Sequence, residues 1–503
     1  MSMRYSVKLE SLIEGLQVIQ LAGEVERKDI GMICYDSRKV VKNSVFVAIK
    51  GFNFDGHSFI MEAIAKGATA IVLEDDSKIS NDYLIHQNVT KILVKDSRKA
   101  LAHLSKNFFK DPSQRIKVIG VTGTNGKTSV THFVKSILEF SGKKTGLIGT
   151  ISNYIGDEVI PAEKTTPESV ELNQLLDRMA NEGCEVCVME VSSHSLELSR
   201  VYGIDFKVGV FTNLTQDHLD FHQTMENYFL AKKKLFDSLS KESIAISNYD
   251  NEYGEKILRD TKARIVFYGS GEKCNYRFEN VSFTFDEIKF DLIYQNERIP
   301  VQSNITGTFN TYNLLAAISV CKELGVELDV IKLAVQNLKP VPGRFELVGN
   351  YPVKVIIDYA HTHDALENVL NTIRGILNSN NSSSKVITVS GAGGDRDRTK
   401  RPKMGRVIQS LSNLSIITSD NPRFENPQQI FDDILSGMKK DETVLVIEDR
   451  EEAIKKAISL ADEGDVVLIA GKGHETYQIV KGQKIPFDDK KVAEKYLMER
   501  FGK

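Results

Sequence analysis

Residues 120–128 read Gly-Val-Thr-Gly-Thr-Asn-Gly-Lys-Thr, a glycine-rich turn that ends in a lysine and a hydroxyl residue. Such a turn aims backbone N–H groups at an anion, lets the lysine reach terminal phosphates, and gives the threonine hydroxyl to Mg²⁺. The longer form of this loop has a glycine where Val121 stands, so this is the shorter Gly123-Thr124-Asn125-Gly126-Lys127-Thr128 form. It predicts a nucleoside triphosphate site. A second group, Met189-Glu190-Val191-Ser192-Ser193-His194, follows an apolar run. An acidic residue at a strand's carboxyl end in the same sheet suits a further Mg²⁺ contact, while the serines also suit a helix N-cap; the two roles are compatible. A third, Val210 to His222, sets Asp217, His218, Asp220 and His222 close together after another apolar run.

The elements that must position these groups are legible in outline. Arg115-Ile-Lys-Val-Ile119 reads as a buried strand and Ser129 to Leu138 as a helix, which brackets the loop as phosphate chemistry requires. Residues 1–112 mix short strands and helices, with a polar joint at Lys110-Asp-Pro-Ser-Gln114. Strands then alternate with helices over 113–341, the pattern of a mostly parallel sheet, interrupted by a β-rich insert near 264–306. After Lys339-Pro-Val-Pro-Gly343 the alternation resumes through 342–503. The expected class is α/β with three domains: 1–112, 113–341 and 342–503.

Composition narrows the functions. A chain of 503 residues, 41% apolar and 26% charged, is an ordinary globular protein with more than one core. A net charge of −3 argues against broad nucleic-acid or membrane-surface binding. The longest apolar runs, such as Val466 to Ala470, are strand length, and Met1 to Glu10 has no signal-peptide apolar core. Five cysteines without a framework suit a reducing cytoplasm, and Cys184 and Cys187 read as packed thiols in a buried strand.

Taken together, Gly123-Thr-Asn-Gly-Lys-Thr128, Glu190-Val-Ser-Ser-His194, Thr212-Asn-Leu-x-x-Asp-His-Leu-Asp220 and Gly307-x-Phe-Asn-x-x-Asn313 resemble the Mur ligases. Asp36-Ser-Arg38 with Phe46-Val-Ala-x-x-Gly51 resembles the amino-terminal uridine-nucleotide domain of the members that add the third peptide residue. Asp358-Tyr-Ala-His361, Gly391-Ala-Gly-Gly-Asp-Arg-Asp397 and Gly471-Lys-Gly-His-Glu475 continue the resemblance to the end of the chain. It implies a small UDP-binding α/β domain, a central P-loop ATPase domain and a Rossmann-like carboxyl-terminal domain.

The resemblance implies ATP-dependent ligation of meso-2,6-diaminopimelate to the D-glutamate carboxylate of UDP-N-acetylmuramoyl-L-alanyl-D-glutamate, through an acyl phosphate, in peptidoglycan synthesis. It implies ATP contacts at Gly123, Thr124, Asn125, Gly126, Lys127, Thr128, Asn310 and Arg344, and Mg²⁺ on Thr128, Glu190, His218 and Lys232. Lys232 would be carbamylated by CO₂ (N6-carboxylysine), turning a cation into an oxygen ligand; Lys232-Lys-Lys234 could equally be a solvated helix face. Catalysis would rest on Lys127, Glu190, His218 and Lys232. UDP-sugar-peptide contacts are implied at Ser37, Phe52, Asn53, Phe54, Thr165, Thr166, Ser192 and Arg200. Lys164, Leu198 and His363 depart from the family's usual residues, and His363, in place of proline, is expected to loosen a loop.

Amino-acid contacts are implied at Arg396, Asp420, Asn421, Pro422, Arg423, Gly471 and Glu475. Diaminopimelate differs from lysine by one distal carboxylate, which a planar guanidinium at Arg423 can grip with two parallel bonds. Lysine-adding relatives lack that arginine. Arg423 could instead pair with Glu425 on the surface. A monomer is expected, acting in the cytoplasm on the two small substrates, without nucleic acid or membrane. Two rivals stay open: a folylpoly-γ-glutamate synthetase, which leaves the Asp36-Ser-Arg38 block unexplained, and a non-catalytic nucleotide-binding protein, which gives no reason to keep Lys127, Glu190, His218 and Lys232 together.

Overall fold

A computed structural model describes residues 6–51, 54–379 and 382–502. The chain divides into two compact units, Met1–Gly120 with Lys143–Gly209 and Ser238–Ser243, and Val121–Gly142 with Val210–Asp237 and Ile244–Lys503. The strands Lys117–Thr122 and Phe206–Phe211 begin in the first unit and end in the second.

The first unit opens on a five-stranded sheet in the order Val18–Ala22, Thr90–Val94, Ala68–Leu73, Ser44–Val47, Met32–Cys34. Its first pair is antiparallel and the rest parallel. Parallel sheets are covered on both faces, which is why the run at 45–49 is apolar throughout rather than alternating. Val45 and Val47 join Leu9, Val72 and Leu101 on one side, while Phe46 and Ala48 join Ile71 and Leu84 on the other. Later in the same unit, Val186–Glu190 lies parallel to Thr145–Ile148, and a hairpin, Ser152–Ile155 with Glu158–Pro161, extends the latter.

The second unit starts with the helix Lys127–Phe140. Its strands Ile244–Asn248, Arg264–Gly269 and Tyr276–Phe283 run parallel, and Ile288–Tyr294 and Glu297–Ser303 fold back antiparallel, which is the β-rich insert expected from sequence. Then comes a six-stranded sheet ordered Glu346–Leu347, Lys354–Asp358, Val466–Ala470, Val386–Ser390, Leu414–Ile417, Val444–Val446. All pairs except the first are parallel, so the loops after Ser390, Ile417 and Ala470 emerge from the carboxyl ends of neighbouring strands. Such a row of loops is where open α/β sheets bind ligands. The α/β class is as the sequence implies. No helix among the described residues is long and apolar enough to cross a membrane.

Candidate active site

The phosphate loop in the second unit is held by its glycines and by one neighbouring segment. Gly126 has φ +86° and caps the helix Lys127–Phe140; a Cβ there would lie 2.4 Å from Asn313 Oδ1. Gly123 (φ +153°) would place a Cβ within bonding distance of Thr212 Oγ1, so no other residue fits. Thr124 N donates to Asn213 O at 2.9 Å, Asn125 N to Asn213 Oδ1 at 2.9 Å, and Thr212 Oγ1 to Asn125 O at 2.6 Å. The segment after Phe206–Phe211 therefore forms the loop's wall. Asn313 Nδ2 donates to Asn310 Oδ1 at 2.9 Å, and Asn310 is buried on the helix Thr308–Glu323.

Two lysines meet on one carbonyl. Lys127 Nζ donates to Gly123 O (2.8 Å) and Thr124 O (2.7 Å), and Lys232 Nζ donates to Gly123 O at 2.7 Å. Lys232 is 1% exposed on the helix Met225–Asp237, its ammonium 4.6 Å from the centre of the Tyr228 ring. The solvated-face alternative therefore fails for Lys232; of the three lysines only Lys234 faces water. Burial and then the Lys127 charge drive the Lys232 amine well below its ordinary range. A neutral amine is the form that takes up CO₂, so the residue fits the implied carbamate.

His218 sits in the left-handed region (φ +55°), its Nε2 3.5 Å from Asp217 Oδ2. Asp217 also meets Lys400 Nζ at 3.2 Å and His361 Nε2 at 3.6 Å. Burial alone would raise this carboxyl; the His361 bond and the charges of His218 and Lys400 hold it well below the usual carboxylate range. Arg344 lies on the Tyr359 ring at 4.3 Å and donates to Thr128 Oγ1 at 3.1 Å. Burial, then the Arg344 charge, pushes His132 down to about 4 and His474 down to about 3.

Glu190 belongs to the first unit, at the end of its strand and 1% exposed. Its carboxylate receives Thr150 N (2.8 Å) and Thr150 Oγ1 (3.0 Å), and its carbonyl receives Thr166 Oγ1 at 2.8 Å. Thr165 Oγ1 meets Thr150 Oγ1 at 3.0 Å, Ser192 N donates to Thr166 Oγ1 at 3.1 Å, and Arg200 Nη1 donates to Thr166 O at 3.2 Å. Thr165, Thr166, Ser192 and Arg200 thus gather around one strand end, and Ser192 also caps the helix Ser193–Glu197. Ser37 bonds Glu62 at 3.0 Å rather than any member of that group. Phe54 is exposed, and Phe52 and Asn53 lie outside the described residues.

Among the described residues no three His, Cys, Asp or Glu side chains form a metal cluster. The implied Mg²⁺ donors are of another kind: a hydroxyl (Thr128), an imidazole (His218) and a modified lysine (Lys232) in the second unit, and a carboxylate (Glu190) in the first. The hydroxyl, carbamate and carboxylate oxygens of this set suit a hard cation.

The expected amino-acid residues converge at the three strand ends. Gly471 (φ +117°) would place a Cβ 2.5 Å from Asp420 Oδ2, Gly393 one 2.8 Å from Arg423 Nη1, and Gly394 one 2.0 Å from Pro422 O. Arg423 has φ +54°, donates from Nη1 to Gly394 O at 2.6 Å, and is held by Ile479 O and Lys481 N of the hairpin Tyr477–Pro486. The Arg423–Glu425 pair does not form. Glu425 is bound by Arg401 and, more weakly, by Arg398, whose bonds pull it down to about 2. Arg396 is exposed and donates to Asp395 O at 2.9 Å. His363 opens the helix His363–Ser379 instead of loosening a loop: the first helical position is where proline is tolerated, so histidine replaces it without a break.

Three family models match successive stretches: the Mur ligase family catalytic domain over 29–109, the Mur ligase middle domain over 121–321, and the Mur ligase glutamate ligase domain over 343–473. The sequence is 48% identical to UDP-N-acetylmuramoyl-L-alanyl-D-glutamate–2,6-diaminopimelate ligase of Clostridium botulinum, covering 94% of this chain and 96% of that one. This chain belongs to the Mur ligase family. A solved structure of a ligase of the same name is 30% identical, covers 98% of this chain and 99% of its own, and superposes with a TM-score of 0.68. The MurF ligase of Thermotoga maritima in complex with ADP shares the fold at 20% identity, with a TM-score of 0.62 over 93% of this chain and 98% of that one.

Sequence reasoning missed Lys472, Asp364 and Tyr228. Lys472 is fully buried between Asn421 and Glu475. Asp364 receives Asn125 Nδ2 at 2.9 Å and Thr215 Oγ1 at 3.2 Å, and Tyr228 OH meets Thr124 Oγ1 at 3.1 Å. Lys472 lies inside a motif already singled out, and Tyr228 and Asp364 stand beside Lys232 and His363; what the sequence does not show is the contact each of these two makes with the phosphate loop.

Proposed function

We propose that this chain uses ATP to ligate meso-2,6-diaminopimelate to the D-glutamate carboxylate of UDP-N-acetylmuramoyl-L-alanyl-D-glutamate, a step of peptidoglycan synthesis in the cytoplasm. The observation that carries the reading is the 48% identity over 94% of the chain to a ligase of that name. The work divides among three domains, 1–112 for the UDP-sugar, 113–341 for ATP and 342–503 for the amino acid.

The γ-phosphoryl group of ATP passes to the glutamate carboxylate, giving an acyl phosphate and ADP. The amine of the amino acid then attacks the acyl carbon, and phosphate leaves from the tetrahedral intermediate. The protein's part is positioning and charge neutralisation. Gly123 to Thr128 present backbone N–H groups and Lys127 to the phosphates, with Asn310 and Arg344 completing the nucleotide contacts. Thr128, Glu190, His218 and a carbamate on Lys232 would hold Mg²⁺, which neutralises phosphate charge. Asp217 orients the His218 ring. Thr165, Thr166, Ser192 and Arg200 bind the muramoyl peptide, with Ser37, Phe52, Asn53 and Phe54 on the uridine side. Arg423 grips the distal carboxylate of diaminopimelate, Glu475 is suited to its ammonium, and Arg396, Asp420, Asn421, Pro422 and Gly471 complete the amino-acid contacts. The active species is a monomer that needs neither nucleic acid nor membrane.

The test is ATP-dependent phosphate release with the UDP-muramoyl dipeptide, run in parallel with meso-diaminopimelate, L-lysine, and a folate-plus-glutamate control. Release that depends on the dipeptide and on meso-diaminopimelate is expected. Release with folate and glutamate alone, or equal rates with both diamino acids, would overturn the assignment.

A further inference from the structure

Beneath the amino-acid loops lies a buried cation that no substrate contact explains. Lys472 has no exposed side-chain surface. Its Nζ donates to Glu475 Oε2 at 3.0 Å and to Asn421 Oδ1 at 3.2 Å. Asn421 closes the triangle: its Nδ2 donates to the same Glu475 Oε2 at 2.8 Å, and its Oδ1 also receives Ile479 N at 2.9 Å. Two donors on one side and a carboxylate on the other fix which way the amide points. Glu475, 17% exposed in its side chain, has one oxygen tied by two donors, while Oε1 has no hydrogen-bond partner among the described residues. A half-buried carboxylate without a cation is costly, and a lysine shut away from water cannot itself touch a ligand. We infer that Lys472 is a positioning residue: with Asn421 it fixes the carboxylate of Glu475, the group that the ligase reading already sets against the ammonium of the diamino acid that does not react. This rests on the ligase reading above.

The experiment compares meso-diaminopimelate with 2-aminopimelate, which keeps the skeleton and both carboxylates but lacks one amine. Phosphate release by the full chain is measured for wild type, Lys472→Met, Lys472→Arg, Glu475→Gln and the Lys472→Met/Glu475→Gln double variant. Losing a hydrogen bond to a charged group costs about 10- to 150-fold. Lys472→Met should therefore raise KM for meso-diaminopimelate by that factor, with kcat held within about threefold and KM for 2-aminopimelate unmoved. Lys472→Arg should recover part of the loss. The double variant, which leaves no buried charge unpaired and so tests the idea even if Lys472→Met does not fold, should be no worse than Glu475→Gln alone. Equal losses toward both amino acids, or an additive double variant, would overturn the proposal. Wild type that does not use meso-diaminopimelate at all would instead overturn the ligase reading.

Discussion

Lys232 has its amine on a backbone carbonyl and over an aromatic ring, with no carboxylate at ion-pair distance among the described residues. A buried, unpaired amine costs stability, so its presence asks for a functional reason. Lys232→Met should melt at the same temperature as wild type or higher, yet lose ligation. Lys232→Ala should regain part of its turnover with short-chain carboxylates, which can supply the missing oxygen ligand; an unmodified amine by intact mass in the active enzyme would count against the carbamate. Lys127→Ala and Glu190→Gln test the phosphate end separately. Glutamine keeps the shape and most hydrogen bonds of Glu190, so folding should survive in both, while kcat/KM falls by about 10²- to 10³-fold. Near-normal turnover in either would remove it from the site. At this scale the sequence was readable wherever one short segment carries the chemistry, as in Gly123 to Thr128. It was mute where a role depends on burial: nothing in Lys232-Lys-Lys234 says that the first is enclosed and the third wet.

Among the elements, the carboxyl-terminal sheet shows why motifs and their supports differ in legibility. The glycines at 391, 394 and 471 had to appear in the sequence, because each faces backbone or a charged side chain at less than 3.0 Å from where a Cβ would stand. The hairpin Tyr477–Pro486 has no such signature, yet its backbone holds Arg423 in a left-handed conformation. Behind the same loops, Arg450 and Asp489 form an ion pair with no exposure on either side, and Arg450 also donates to Ser419 O (3.3 Å) and Ala470 O (3.0 Å). Those carbonyls lie at the roots of the loops that carry Asp420 to Arg423 and Gly471 to Glu475. Asp489→Ala leaves a buried guanidinium without its charge partner and should destabilise the fold by about 3–5 kcal/mol. Calorimetry of the full chain should register this as a lowered transition, and meso-diaminopimelate should bind more weakly even below it. An unchanged melting profile would show that water or another group takes up the charge.

For the molecule as a whole, the alternation of strands and helices was enough to foresee an α/β chain with a β-rich insert. The order of strands in each sheet was not foreseeable, because neighbours such as Val466–Ala470 and Val386–Ser390 are far apart in sequence and pair through side chains that any apolar strand could offer. The function binds three ligands, and their expected contacts are scattered along the chain, so each ligand should leave its own footprint on amide exchange. A non-hydrolysable ATP analogue with Mg²⁺ should protect 121–142 and 306–346; the UDP-muramoyl dipeptide should protect 36–62 and 161–204; meso-diaminopimelate should protect 391–397, 418–425 and 471–481. Each stabilises the state it binds by mass action, about 2.7 kcal/mol at a hundredfold excess over Kd, which is ample to slow exchange of locally opened segments. In Arg423→Ala the third footprint should vanish while the other two persist. A lost partner in such a charge pair costs about 2–5 kcal/mol, or roughly 30- to several-thousand-fold in affinity. Diaminopimelate that protects only 36–204, or a third footprint that survives Arg423→Ala, would show that the amino acid is chosen somewhere else.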